Sequence, residues 1–241
     1  MNAVFLLARR EMSTYLNTWW GWVILLVVLL IDGLLFNAFA ISNKPQYSAE
    51  VLESFFYFSS GTTMIAGLIL TMKLLAQERE SGTMVLLESA PISEAQVVSG
   101  KFLGAWGFLM VITALTLYMP FLIQLNGKVS WAQIGAGYLG LASLGAATVA
   151  IGTFASSLAK NQVLAAILGG VMLVTMLLGW MLSRQTEAPI SGVLAYLALY
   201  DRHYQPFMRG RINTEDLVYY GSVVFAFLLM STRVLQARRW Q

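Results

Sequence analysis

Six long apolar runs alternate with short polar segments along this 241-residue chain. Each run is long enough to cross the roughly 30 Å hydrocarbon core of a bilayer as an α-helix, which takes about 20 residues. The runs are continuous and rich in Leu, Ala and Gly, whereas the strands of an outer-membrane barrel alternate apolar and polar positions. The pattern predicts an all-α integral membrane protein with transmembrane helices at 19–41, 55–76, 102–125, 134–158, 163–182 and 217–235.

Composition supports a single polytopic domain over residues 1–241. Hydrophobic residues make up 58% of the chain and charged residues 11%, with a mean hydropathy of +0.68, while soluble domains carry about 25% charged residues. The net charge of +3 comes from residues scattered between the spans, so there is no basic patch of the kind that binds nucleic acid. Membrane lipid is therefore an expected partner, and nucleic acid is not.

The distribution of Lys and Arg predicts the orientation, because cytoplasmic segments of membrane proteins carry the excess of basic residues. Six spans place both termini on one side. The bias predicts a multi-pass membrane protein with both termini in the cytoplasm. The cytoplasmic set is Arg9, Arg10, Lys73, Arg79, Lys101, Lys160, Arg233, Arg238 and Arg239, and the opposite side holds Lys44, Lys128, Arg184, Arg202, Arg209 and Arg211.

The residue inventory argues against catalysis on this chain. Cys is absent and His203 is the single histidine, which excludes a thiolate site and a histidine cluster for a metal. Each Lys is followed by a residue other than Ser or Thr, so the chain lacks a phosphate-binding P-loop. We expect no enzyme activity, no catalytic residue, no metal and no cofactor here. Asp32 is the ionisable residue of the first span; it either faces protein or water or reaches the headgroups.

The first 18 residues predict an amphipathic helix along the membrane surface. Leu6 and Leu7 break the pattern, and Trp19, Trp20 and Trp22 follow at headgroup depth. Two interpretations stay open, a helix with a mechanical role and an ordinary flanking anchor. One predicted face carries Met1, Val4, Phe5, Ala8, Met12, Tyr15 and Leu16, and the other carries Arg9, Arg10, Ser13, Thr14 and Asn17.

The segment at 77–101 is a charged insert between the second and third spans. Ser93 and Gln96 form a capping box, and Ile92 with Val97 forms a hydrophobic staple, so a helix is predicted from about Glu94 into the third span. A shorter helix is predicted between Gly82 and Pro91. Its side chains are too apolar for a free loop and too polar in their surroundings for the hydrocarbon, which indicates a protein partner.

This insert resembles the cytoplasmic loop of type-2 ABC exporter permeases, the ABC-2 family. The resemblance rests on QERESGTMVLLESAPIS at 77–93 and on Gly100-Lys101-Phe102. A second segment, HYQPFMRGRINTEDLVYY at 203–220, is similar to the pattern of the gliding-motility subgroup, with the nitrous-oxide-reductase maturation permeases next. Together with the six-span layout, the resemblance covers essentially the whole chain.

The resemblance implies a permease that works as a dimer, with a second copy or a related permease, bound to a cytoplasmic ATPase dimer that carries ATP and Mg. An auxiliary extracytoplasmic subunit is a further expected partner, and the implied location is the bacterial inner membrane. The coupling residues it implies are Glu78, Arg79, Glu80, Gly82, Thr83, Met84, Leu86, Leu87, Glu88 and Pro91, with Lys101 at the cytoplasmic interface. An alternative is a non-transporting anchor that passes ATPase-driven motion to an extracytoplasmic partner. The transported substrate stays open.

The connection at 183–216 is apolar but too short to span the bilayer, so it is expected to enter the opposite interface. In the family this region forms short helices that cap the pathway. Structural packing is the interpretation we favour for its individual residues. The predicted lid residues are His203, Phe207, Arg209, Gly210 and Asp216.

Overall fold

The computed structural model describes residues 3–40, 47–84, 91–187 and 189–239. Within these ranges every regular element is helical, which confirms the predicted fold class. Helix α2 continues into a π-helical turn, Phe36–Ala40. The helices are α1 Ala3–Asn17, α2 Trp19–Leu35, α3 Ser48–Thr71, α4 Ala76–Glu80, α5 Glu94–Leu115, α6 Tyr118–Asn126, α7 Trp131–Leu158, α8 Gln162–Gln185, α9 Ile190–Leu197, α10 Gln205–Met208 and α11 Thr214–Arg239.

The six predicted spans are present as long apolar helices. They comprise Trp19–Ala38, Ser48–Glu80, Glu94–Leu125, Trp131–Leu158, Gln162–Gln185 and Thr214–Arg238. Five of the six helices are longer than their predicted apolar runs, because hydropathy marks the part inside the hydrocarbon while the backbone hydrogen bonds continue into the interface. The third span is interrupted between α5 and α6, where Pro120 cannot donate to the carbonyl of Thr116 four residues earlier.

Helices α3 and α7 form the centre of the bundle. In their most apolar windows 61% and 67% of the residues are buried, against 22% in α2, α8 and α11. Small residues permit the close approach: a Cβ on Gly137 would meet the Phe56 ring at 2.1 Å, and one on Gly152 would meet Thr71 at 1.9 Å. The outer helices expose apolar side chains, as lipid contact requires.

The two ends of the bundle carry different elements. We call the end with α1, α4 and the C-terminus of α7 the loop end. The opposite end carries α9, α10 and the start of α11, and it contains an aromatic cluster with Phe56, Tyr204 and Phe207, all fully buried.

Candidate coupling site at the loop end

The start of the 77–101 loop is held on α7 by one serine. The Ser156 hydroxyl oxygen accepts hydrogen bonds from the backbone N–H groups of Leu75 and Ala76, both at 3.0 Å. These donors have no partner within a continuous helix because α3 ends at Thr71 and α4 begins at Ala76. Ser156 therefore fixes the break between the membrane-spanning helix and the loop.

A three-residue charge cluster joins three elements next to this break. The Lys101 ammonium lies 2.8 Å from a Glu78 carboxylate oxygen on α4 and 3.3 Å from a Glu11 carboxylate oxygen on α1. The Lys101 side chain is 6% exposed, so these two carboxylates, rather than water, surround its ammonium group. The second carboxylate oxygen of Glu78 is buried, with no hydrogen-bond partner among the described residues. The cluster ties the N-terminal helix to both flanks of the loop.

Two arginines hydrogen-bond to backbone carbonyls at the C-terminus of α7. Arg79 donates from its guanidinium to the carbonyl of Ala159, and Arg238 donates to the carbonyl of Leu158 at 2.9 Å. The last carbonyls of a helix lack intrahelical donors, and cationic side chains there also suit the helix dipole. Arg79 thus connects the loop to the turn between α7 and α8. Arg238 connects the last span, α11, to the end of α7.

The tip of the loop is exposed. Gly82 has φ +71°, a left-handed conformation that favours glycine. Glu80, Thr83 and Pro91 are exposed, while Met84 is half-buried against Leu75, Val97, Val98 and Leu235 of this chain. Residues Leu86, Leu87 and Glu88 lie outside the described residues. The tip therefore offers polar groups to a partner while its base is packed on the bundle.

The predicted start of the third span is confirmed. The Ser93 backbone N–H donates to the Gln96 amide oxygen at 3.0 Å, and the Gln96 backbone N–H donates to the Ser93 hydroxyl at 3.3 Å. Helix α5 begins at Glu94. Ile92 and Val97 belong to one apolar cluster, as a hydrophobic staple requires.

The N-terminal helix packs tightly on α5 through glycines. A Cβ on Gly104 would meet the Glu11 Cβ at 2.5 Å and the Ala8 carbonyl at 2.8 Å, and one on Gly100 would meet the Leu7 Cβ at 2.6 Å. Leu7, which breaks the predicted amphipathic pattern, is thus part of the contact face, while Phe5 is 62% exposed. Two apolar surfaces, one toward α5 and one outward, cover this short helix, and Leu7 therefore falls outside a single amphipathic face.

Tyr15 attaches the end of α1 to helices α3 and α5. Its hydroxyl donates to the Leu70 carbonyl at 2.9 Å, and its ring stacks on Phe108 with centroids 5.1 Å apart. Burial, with a smaller contribution from the Glu11 carboxylate, raises the pKa of Tyr15 well above its ordinary value. The phenol therefore stays protonated and keeps its hydrogen bond.

At the opposite end, His203 and Asp216 form a buried pair. The His203 Nδ1 atom lies 2.8 Å from an Asp216 carboxylate oxygen, and Nε2 lies 3.1 Å from the Tyr196 carbonyl. Both partners are acceptors, and a neutral ring can donate to one of the two. Asn213 donates to the other Asp216 oxygen at 2.9 Å, and the ring stacks on Tyr219 at 3.7 Å.

The other predicted lid residues contact the same end of the bundle. A Cβ on Gly140 of α7 would meet the Phe207 Cβ at 2.6 Å, and Gly210 has φ +77° beside Gln133. Arg209 is largely exposed and donates to Glu53 at 3.1 Å. Phe207 and Gly210 thus pack closely on other parts of the bundle, Arg209 forms a surface ion pair, and the lid role of these residues stays a prediction.

Comparison with protein families identifies the family of this chain. The family model of ABC-2 family transporter proteins matches residues 5–237. The chain belongs to the ABC-2 family. It is a membrane-embedded, multi-pass subunit of the permease type, and ABC-2 permeases work with a cytoplasmic ATPase.

One curated relative is similar to this chain over part of its length. The probable ABC transporter permease protein NosY of Stutzerimonas stutzeri is 29% identical over 107 residues, which cover 43% of this chain and 39% of that protein. The match therefore spans well under half of either sequence.

Within the ABC-2 bundle, Asp32 faces protein. Its side chain is buried, and the Thr62 hydroxyl donates to its carboxylate at 2.6 Å. A small cavity of about 10 Å³ adjoins it, with Ser59, Thr63 and Thr113 in its walls, which is near the lower limit for one water. Of the two alternatives for Asp32, the geometry favours the one that faces the bundle.

Several residues of this site gave no sequence signal. Ser156 lies in a run of small residues, and Glu11 belongs to neither of the two faces predicted for the first helix. The partnerships of Arg79 and Arg238 join positions 80 residues apart. The spacing of the sequence does not contain such pairings, because they depend on which spans are neighbours.

Proposed function

We propose that this chain is the permease subunit of an ATP-driven exporter and that a separate cytoplasmic ATPase docks on the tip of its 77–101 loop. The observation that supports this most directly is the Glu11–Lys101–Glu78 cluster. It connects an exposed tip to the helices that would have to move. ATP and Mg belong to the ATPase in this proposal, and this chain performs no catalysis.

The contacts supply a path for force from the tip into the membrane. A displacement of Gly82 moves α4, and α4 carries Glu78, which is paired to Lys101 at the start of the third span. Arg79 passes the same displacement to the turn between α7 and α8. In this mechanism Glu78 and Arg79 act chiefly inward, while Glu80 and Thr83 remain available to contact the ATPase.

A twofold pair of permeases is the second part of the proposal. A groove of about 420 Å³ lies between α2, α3 and α8, and Tyr57, Ser60 and Thr62 place polar groups in its largely apolar wall. A Cβ on Gly61 in this groove would meet nothing within 4 Å. Facing grooves in a symmetric dimer would form one shared pathway, which a single copy lacks.

Substitution in the loop tests ATPase docking. Leu87→Asp is expected to abolish co-purification of the ATPase subunit while membrane insertion is retained, because a charge in an apolar docking groove costs several kcal/mol. Ser89→Asp is the matched control, since it adds the same charge to a polar position of the same segment. Undiminished ATPase binding by Leu87→Asp would contradict the docking surface.

Introduced cysteines test the dimer and the orientation, since the chain has no Cys. Ile31→Cys and Leu178→Cys in the groove are expected to crosslink between copies, whereas Phe225→Cys on α11 is not. A stable purified particle with one copy and no second permease would contradict the shared pathway.

In intact cells, Gln205→Cys should react with an impermeant reagent and Ser89→Cys should not. The opposite labelling would invert the topology.

A further inference from the structure

A cavity of about 320 Å³ lies at the loop end between α1, α2, α3 and α4. Its walls are divided in character. Arg10, Lys73 and Gln77 contribute polar groups, and Ile24 and Ile69 contribute an apolar side. The volume is in the range of small-molecule sites, which hold roughly 300–1,000 Å³.

The charges that face this cavity do not cancel. Glu11 and Glu78 border it, but both are engaged by Lys101, which also borders it. Lys73 and Arg10 have no carboxylate partner among the described residues. The Lys73 ammonium instead lies 4.2 Å from the centroid of the Trp20 ring. Counted together, Arg10, Lys73 and Lys101 exceed Glu11 and Glu78 by one positive charge, and Arg10 and Lys73 are the cations left to contact an anion.

The position of the cavity identifies the source of that anion. Trp19, Trp20 and Trp22 follow α1 directly and are 81%, 58% and 56% exposed. Exposed tryptophans at the end of a span mark the headgroup layer. The polar part of the cavity thus lies at headgroup depth, and Ile24 and Ile69 lie toward the hydrocarbon.

We propose that this cavity binds the phosphate of an anionic phospholipid from the leaflet on the N-terminal side. Arg10 and Lys73 contact the phosphate, Gln77 contacts the polar headgroup, and Ile24 and Ile69 cover the glycerol and the first acyl carbons. A free phosphate would leave the apolar wall uncovered. The bound lipid would wedge α1 against α3, beside the cluster that joins α1 to the loop. The site does not depend on ATPase docking or on the dimer.

Lipid binding to the purified protein tests the proposal. Delipidated protein would be titrated with dioleoyl-phosphatidylglycerol, with dioleoyl-phosphatidylcholine and with sodium phosphate, and adducts would be counted by native mass spectrometry with thermal stability as a second measurement. We expect phosphatidylglycerol to bind most tightly. Lys73→Gln and Arg10→Gln should each weaken it roughly tenfold, the loss expected for one hydrogen bond to a charged group.

The controls separate this site from general surface charge. Lys160→Gln removes an exposed cation at the same end but outside the cavity, and it should leave binding unchanged. Lys73→Arg keeps the charge and should retain most of the binding. The thermal stability of lipid-free Lys73→Gln shows whether that variant is folded. Equal binding of both lipids, equal losses in Lys160→Gln and Lys73→Gln, or protection by sodium phosphate equal to that by phosphatidylglycerol would overturn the proposal.

Discussion

Each end of the bundle holds a basic side chain against at least one carboxylate, but the surroundings differ. At the opposite end the side chains of His203 and Asp216 are 0% and 5% exposed. At the loop end Lys101 is 6% exposed, while its partners Glu11 and Glu78 are 19% and 22% exposed and border a cavity. One pair is enclosed by aromatic rings, and the other cluster has free volume beside it.

This difference indicates separate mechanical roles for the two ends. A buried pair with every partner fixed resists rearrangement, because separating its side chains leaves buried polar groups without a partner or water. The loop-end cluster can exchange partners with water or a ligand at lower cost. The opposite end is therefore suited to a fixed cap, and the loop end is suited to movement driven from the loop.

The largest effect is expected at the His203–Asp216 pair. His203→Ala should destabilise the protein by about 3–5 kcal/mol, because it leaves the buried Asp216 carboxylate without this hydrogen-bond partner and opens a cavity beside Tyr219. Arg202→Gln is the control, since its ion pair with Glu215 joins side chains that are 52% and 56% exposed, and such pairs contribute roughly 0–1 kcal/mol. Thermal unfolding in detergent measures both. Equal stability of the two variants would remove the distinction between the ends.

A somewhat smaller effect is expected where α1 meets α5. Gly104→Leu should cost about 1–3 kcal/mol, because the added side chain overlaps the backbone carbonyl of Ala8, which cannot move aside. Gly221→Leu on α11 is the control, since a Cβ there meets nothing within 4 Å. Thermal unfolding and protease sensitivity of α1 report the result. A neutral Gly104→Leu would show that α1 is not held on α5.

The loop-end cluster should respond in a way that the other end cannot. Lys101→Met is expected to cost about 2 kcal/mol, less than a fully buried pair, because the two carboxylates left behind are partly solvated. Adding Glu11→Gln and Glu78→Gln to Lys101→Met should restore most of that stability by removing the unpaired charges. ATPase-dependent activity of the assembled complex should remain low in this triple variant. Full recovery of activity would exclude the cluster from coupling.

The same two regions show what the sequence can predict. Apolar run lengths identified all six spans, and the Ser93–Gln96 box located the start of α5, because both signals are local. The ties from Ser156 to Leu75 and from Lys101 to Glu11 connect positions 81 and 90 residues apart. Local patterns carry no information on such pairs, and the two apolar surfaces of α1 concealed which one packs on protein.

The middle of the bundle should give the smallest effect. Thr62→Val removes the hydrogen bond to Asp32 and is expected to cost about 0.6 kcal/mol, the mean for hydrogen bonds between membrane helices. Asp32→Asn should cost no more, because the Asn side-chain oxygen still accepts from the Thr62 hydroxyl at the same position. Thermal unfolding of both variants, with Thr175→Val on α8 as an exposed control, gives the comparison. A loss of stability in Asp32→Asn as large as that in His203→Ala would mean that the bundle depends on a buried negative charge between its two ends. The contrast between a fixed cap and a movable loop end would then have to include Asp32 as a third charged site.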